Sequence, residues 1–149
     1  MELYFAYGSN LWLGQMRNRC PSTRVEGLAT LKSHRLWFPL TSQRWGGGVA
    51  SILPEDGART EGVLYALSWD DLHTMDVFEG VPVNMYQRIE VPVLTGGEQR
   101  TAWTYMGRIE DGAPFPTSRS YIDTILRGAR DHGLDEDWIQ FLQDFPVRE

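Results

Sequence analysis

The chain has 149 residues, a formal net charge of -6 and a 42% hydrophobic content. That length suits one compact domain, residues 1–149, with a core of its own. The acidic balance disfavours nucleic acid and anionic membrane surfaces as partners, because both recruit a basic footprint, and leaves small molecules or proteins.

Leu3 to Tyr7 reads as a short buried strand that stops at Gly8-Ser9-Asn10. Ser9 or Asn10 is placed to cap a helix over Leu11 to Arg19, ending at Cys20-Pro21. Strand-like runs follow at residues 25–31 and 34–40, then Val49 to Leu53 after three glycines that disfavour a helix, then Glu61 to Leu67. Ser68, with Asp71 three residues on, predicts a capped helix over Trp69 to Phe78 that ends at Glu79-Gly80.

"MYQRIEVPVL" and "GGEQRTAWTYMG" form a hairpin pattern, with Pro92 pointing to an edge or a bulge. The Pro-rich stretch "DGAPFPTS" leads to a helix over Arg119 to His132, whose apolar stripe is Ile122, Ile125, Leu126 and Ala129. A last helix over Glu136 to Asp144 is capped by Asp135. Strands this numerous and closely spaced do not make a doubly wound βαβ fold. The expectation is an α+β domain: a small mixed, barrel-like sheet with flanking helices.

Cys20 is the single cysteine, so no internal disulfide forms and a reducing compartment is expected. No apolar run reaches membrane-spanning length, and Met1-Glu2 leads straight into the first strand with neither a charged n-region nor a cleavable h-region. A cytoplasmic protein is the expectation. Cys20 beside Arg19 is either a reactive thiol or, more simply, a packing residue. Trp12 and Trp37 are candidates for a homodimer face, with core burial the equal alternative.

Several motifs fail. The opening turn matches neither a dinucleotide fingerprint nor a P-loop nor a nucleophile elbow. His34, His73 and His132 have no metal-ligand spacing and the chain has a single Cys, so no metal site is expected. His73 and Asp76, at i and i+3, read as a surface pair.

Two features survive. Backbone N–H groups at a strand-loop-helix junction suit an anion, and Gly8 would let a ligand approach the main chain. A plain connection is the simpler reading of the same residues. Glu79 sits at the negative end of a helix among apolar neighbours, so dipole and desolvation would both raise its pKa above about 4.3, toward a general acid/base. Taken alone, a solvent-facing Glu79 is the simpler reading.

Together the segments resemble the gamma-glutamylcyclotransferases. "LYFAYGSNL", "RWGGGVASI", "FEGVPVNMYQRIEVPV" and "PFPTSRSYIDTILRGARDHGL" are similar, in order and spacing, to segments of that family across nearly the whole chain. The resemblance implies a small mixed α/β barrel and a cofactor-free enzyme that cyclises a gamma-glutamyl group to 5-oxoproline, releasing an amine. It implies Tyr4, Phe5, Ala6, Tyr7, Gly8 and Ser9 as the substrate loop, supported by Asn10. It also implies Glu79 as proton acceptor, Tyr121 as a substrate contact and Tyr86 as a pocket wall. "YGSN" resembles the branch acting on gamma-glutamyl amino acids, and Arg44-Trp45 with "VPVNMY" would shape the leaving-group pocket. The alternatives are a non-catalytic binding or interaction module of the same fold, a water-using amidohydrolase, and an enzyme that removes a gamma-glutamyl protecting group from a specialised metabolite.

Overall fold

The computed structural model describes residues 1–108 and 115–148. Much of the expected "DGAPFPTS" connection lies outside the described residues. Strand β1 (Glu2–Ala6) pairs antiparallel with β3 (Gly47–Leu67), from Glu2 opposite Leu67 to Ala6 opposite Val63. Its other edge meets β5 (Glu98–Gly107) in parallel at Tyr4 and Trp103. The hairpin β4 (Tyr86–Thr95) to β5 is in register throughout, and Gly96 and Gly97 turn it with φ of 55° and 79°, the left-handed pair that a two-residue hairpin loop needs. Strand β4 meets β2 (Arg24–Ser42) at Leu94 and Thr30, and β2 pairs with β3. The order β1-β5-β4-β2-β3, with β3 returning to β1, closes a five-stranded barrel. Closure leaves few open edges to template aggregation. Short strands β6 (Thr117–Ser118) and β7 (Val147–Arg148) extend the sheet beyond the start of β3.

Two pairs of expected strands are continuous. Residues 25–31 and 34–40 both belong to β2, and Val49–Leu53 and Glu61–Leu67 both belong to β3. Ser33, with φ of 60°, is a bulge rather than a break: residues 55–58 of β3 loop out opposite it before pairing resumes. Pro92 lies opposite Thr101 in unbroken register, so it marks no bulge; the recorded β2 pairing of its strand is two residues on, at Leu94.

Helix α2 (Trp69–Phe78) and α3 (Arg119–His132) have the expected bounds. Ser68 Oγ accepts from the Asp71 N–H at 3.1 Å. Asp71 does not reach back to the cap itself. Its carboxylate accepts from the Ser22 N–H and hydroxyl, and Ser22 Oγ accepts from the Ser68 N–H, so Ser22 completes the box from the end of the first helix. Helix α4 (Glu136–Gln143) is capped by Asp135, which accepts from the Trp138 N–H at 2.8 Å.

Helix α1 covers Leu13–Arg19, after a separate 3-10 turn at Ser9–Leu11, and its N-cap is Trp12, with no side-chain cap bond. Ser9 and Asn10 therefore do not cap it, because their side chains are engaged elsewhere, as described below. The stripe of α3 is buried, each full-sized side chain contributing roughly 1.5–3 kcal/mol. Gly128 lets α3 lie directly on the opening turn: a Cβ there would stand 2.3 Å from the Leu11 carbonyl carbon. Trp12 and Trp37 are half-buried, with Arg127 over Trp12 at 4.5 Å and Phe145 edge-on to Trp37 at 6.1 Å. The His73-Asp76 pair does not form. His73 lies edge-on to Trp69 at 4.6 Å, and Asp76 accepts from Arg88 Nε at 2.8 Å and the Tyr105 hydroxyl at 2.7 Å. No helix among the described residues is long and apolar enough to cross a membrane.

Candidate active site

Glu79 follows the last turn of α2, its N–H bonded to the Met75 carbonyl at 2.9 Å, and Gly80 turns the chain away in the left-handed conformation. This aims the Glu79 carboxyl at the opening turn. A cavity of about 110 Å³ lies between them. Of the residues expected from the sequence, Tyr4, Tyr7, Gly8, Ser9, Asn10, Glu79, Tyr86 and Tyr121 line it. Phe5 and Ala6 do not: both side chains are fully buried elsewhere, as strand alternation turns Phe5 to the face opposite Tyr4, against Gly62.

Asn10 is the hub. Its Oδ1 accepts from Gln15 Nε2 at 3.1 Å and Arg19 Nη1 at 3.2 Å. The amide is thereby oriented with Nδ2 toward the Tyr4 hydroxyl at 3.0 Å and Glu79 Oε1 at 3.2 Å. Gln15 also donates to Ser9 Oγ at 2.8 Å. The Tyr65 hydroxyl holds the Asn10 carbonyl at 2.8 Å, and His132 Nε2 lies 2.8 Å from the Leu11 carbonyl. These bonds, not a helix cap, fix the turn.

The opposite wall is the start of β3. Ala50 N–H donates to the Tyr121 hydroxyl at 3.0 Å, and the Tyr86 hydroxyl donates to the Ala50 carbonyl. Tyr121 therefore keeps its own proton for another acceptor, whereas Tyr86 has spent its proton on the wall. Gly8 has a φ of -112°, so the turn does not need glycine for a left-handed backbone. It needs the space: a Cβ would stand 3.2 Å from the Tyr121 hydroxyl.

Burial pushes Glu79 up to about 7, against the opposing pull of Arg19 and the Asn10 hydrogen bond. Burial likewise holds Tyr4, Tyr7, Tyr86 and Tyr121 above the ordinary phenol range, so these hydroxyls stay protonated at neutral pH. Among the described residues Glu79 is the one carboxylate lining the cavity. Cys20 lies outside it, buried, its thiol against the Asp71 carbonyl and pushed up to about 12 by burial. That is the packing reading, not a reactive thiol. Among the described residues no three His, Cys, Asp or Glu side chains gather as metal ligands would.

Composition and spacing did not single out Arg19 or Tyr105. Arg19 carried no motif, and only the return of α2 over the end of α1 brings it to the cavity, with its guanidinium 4.9 Å from the Phe78 ring. Arg44, Trp45 and Met85 also line the cavity, with Trp45 edge-on to Tyr121 at 5.0 Å.

The AIG2-like family profile matches residues 59–142, the span that holds Glu79, Tyr86 and Tyr121. The human protein "Gamma-glutamylcyclotransferase" is 37% identical over 137 residues, 89% of this chain and 72% of its own length. The chain belongs to the AIG2-like, gamma-glutamylcyclotransferase family. The mouse member of this family is 33% identical, covering 99% of the chain and 80% of its own length. The solved structure "Gamma-glutamyl cyclotransferase" superposes with a TM-score of 0.92 at 33% identity, covering 99% of this chain and 89% of that one. The crystal structure of YkqA from Bacillus subtilis superposes at 0.82 with 27% identity, covering 99% of this chain and 56% of that one. The barrel described above is thus the gamma-glutamylcyclotransferase fold.

Proposed function

We propose that this chain is a gamma-glutamylcyclotransferase that closes a gamma-glutamyl group into 5-oxoproline and releases the free amine. The observation that carries the reading is a partly exposed Glu79 with a pKa of about 7, held by Asn10 across a cavity from the Gly8-Ser9-Asn10 turn. The nucleophile is the substrate's own α-amine, so the site needs no activated serine or cysteine. Glu79 takes the proton from the ammonium. The freed nitrogen attacks the γ-carbonyl carbon, the proton on Glu79 passes to the leaving nitrogen as its bond to that carbon breaks, and the ring nitrogen's second proton follows through the same carboxylate, leaving a lactam N–H and a product ammonium. Atoms balance without water or cofactor.

Ser9 and Asn10 open a 3-10 turn, where first-turn N–H groups lack an acceptor within the helix. In this reading they receive the oxyanion that develops on the γ-carbonyl, and the Tyr121 proton supplies a further donor. The walls of tyrosine fold the flexible glutamyl chain toward its attack conformer, replacing a large entropic barrier by binding. A binding module of the same fold would have no use for a carboxyl tuned to neutrality. The single, buried thiol supports a reducing, cytoplasmic setting.

Mass spectrometry after incubation with gamma-glutamyl-alanine tests the reading. The expected products are 5-oxoproline and alanine. Free glutamate would establish hydrolysis instead, and no turnover across a panel of gamma-glutamyl amines would establish a binding module.

A further inference from the structure

Arg19 is an arginine in an expensive place. It is nine-tenths buried, makes no ion pair within 4 Å among the described residues, and its Nε is buried without a partner. Its Nη1 donates to Asn10 Oδ1, the same side-chain oxygen that Gln15 holds. Two donors on one amide oxygen leave the Asn10 amide a single useful orientation, with its NH₂ toward Glu79. Flipping it would set NH₂ against guanidinium and leave Glu79 Oε1 without its donor. A guanidinium also polarises the amide it binds, which strengthens the bond on the far side.

We propose that Arg19 is a positioning residue for Glu79: acting through Asn10, it fixes the donor to the carboxylate. The inference rests on the cyclisation reading above only for its catalytic consequence. The charged and titratable groups around Glu79 support it. From β1 and the segment after it come Tyr4 and Tyr7, and from β4, β5 and α3 come Tyr86, Tyr105 and Tyr121, all neutral phenols raised by burial. Among the described residues the other cation lining the cavity is Arg44, on the β2–β3 connection. Arg19 is the leading charge acting to hold Glu79 ionised, against burial that favours the acid. Glu79 in turn is the chief influence keeping the buried Arg19 protonated.

The test is a pH profile of kcat and KM for Arg19→Gln and Arg19→Lys, with a ¹³C NMR titration of the Glu79 carboxyl in labelled protein, assigned through Glu79→Gln. Removing an opposite charge raises a carboxyl pKa, so in Arg19→Gln the acid limb of kcat is expected to move up by about one pH unit, lowering kcat at pH 7 several-fold, with KM little changed. Arg19→Lys keeps the charge without the planar fork, so the limb is expected to stay in place while kcat falls at every pH. An unmoved Glu79 titration in Arg19→Gln, or a rise in KM alone, would overturn the inference. Should Arg19→Gln not fold, Arg19→Lys decides: a displaced limb or an unchanged kcat overturns it. The NMR arm needs no turnover, so wild type that forms no 5-oxoproline removes the cyclisation reading while the coupling of Arg19 to Glu79 is still measured.

Discussion

The Asn10 side chain donates to the Glu79 carboxylate across 3.2 Å, although the two residues are 69 positions apart in the chain. This contact joins the opening turn to the end of α2, and it puts a proton-carrying group beside a backbone able to hold an anion. Both halves of the proposed chemistry meet there.

Glu79→Gln removes the proton carrier and keeps the shape. Turnover is expected to fall by roughly 10²–10⁴-fold, while calorimetry still detects 5-oxoproline binding. The same variant is expected to be more stable than wild type at pH 8. The folded-state pKa of Glu79 is raised from 4.5 to about 7, so the folded chain holds a proton that the unfolded chain has released between those values. Stability from this group is present below pH 4.5 and is lost as pH rises toward 7. A neutral glutamine escapes that loss, a gain of roughly 1–3 kcal/mol at pH 8. Chemical denaturation at pH 5 and pH 8 reads it: a difference that does not grow with pH would refute the assignment.

The wild-type pH profile follows from the same value. The free enzyme needs Glu79 ionised to accept a proton, so kcat/KM is expected to fall below a limb near pH 7. A limb near 4.5 would mean that the carboxyl is solvated in the working enzyme.

Gly8→Val tests the turn as a contact surface. The added side chain must displace the Tyr121 hydroxyl, 3.2 Å from the position of its Cβ, and so narrow the cavity. Loss of 5-oxoproline affinity by at least about tenfold is expected, a cost of roughly 1.4 kcal/mol. Unchanged affinity, measured by titration calorimetry, would return the turn to a plain connection.

Gly128→Ala tests the support beneath the turn. Its Cβ would meet Leu11 backbone at 2.3 Å, which neither element can yield without moving α3 off the turn. A loss of roughly 1–3 kcal/mol in denaturation is expected, outweighing the usual helix preference for alanine. A more stable variant would show that the approach of α3 to Leu11 is looser than this packing.

The helices were legible because their signals are local. Ser68 and Asp135 cap within three residues, and the stripe of α3 repeats within its own turns. The hairpin was legible because two glycines fix its register. The long strands were not, because the interruptions between residues 31 and 34 and between residues 53 and 61 are spanned only when a partner strand pairs past them. Ser9 and Asn10 were misjudged as caps for the same reason. They have the right side chains for that job, but Gln15 and Arg19 compete for them, and Gln15 and Arg19 are themselves positioned by the fold.

By itself the sequence determined the ends of α2 and α3, the hairpin and the placing of a carboxylate just beyond α2, because capping, turn chemistry and periodicity act over a few residues. Tertiary structure alone decided that Glu79 is half-buried in the cavity wall, that Asn10 meets its carboxylate, and that Arg19 stands behind Asn10. Burial raises a pKa only when distant segments close over the group, and hydrogen-bond partners compete through space, not along the chain.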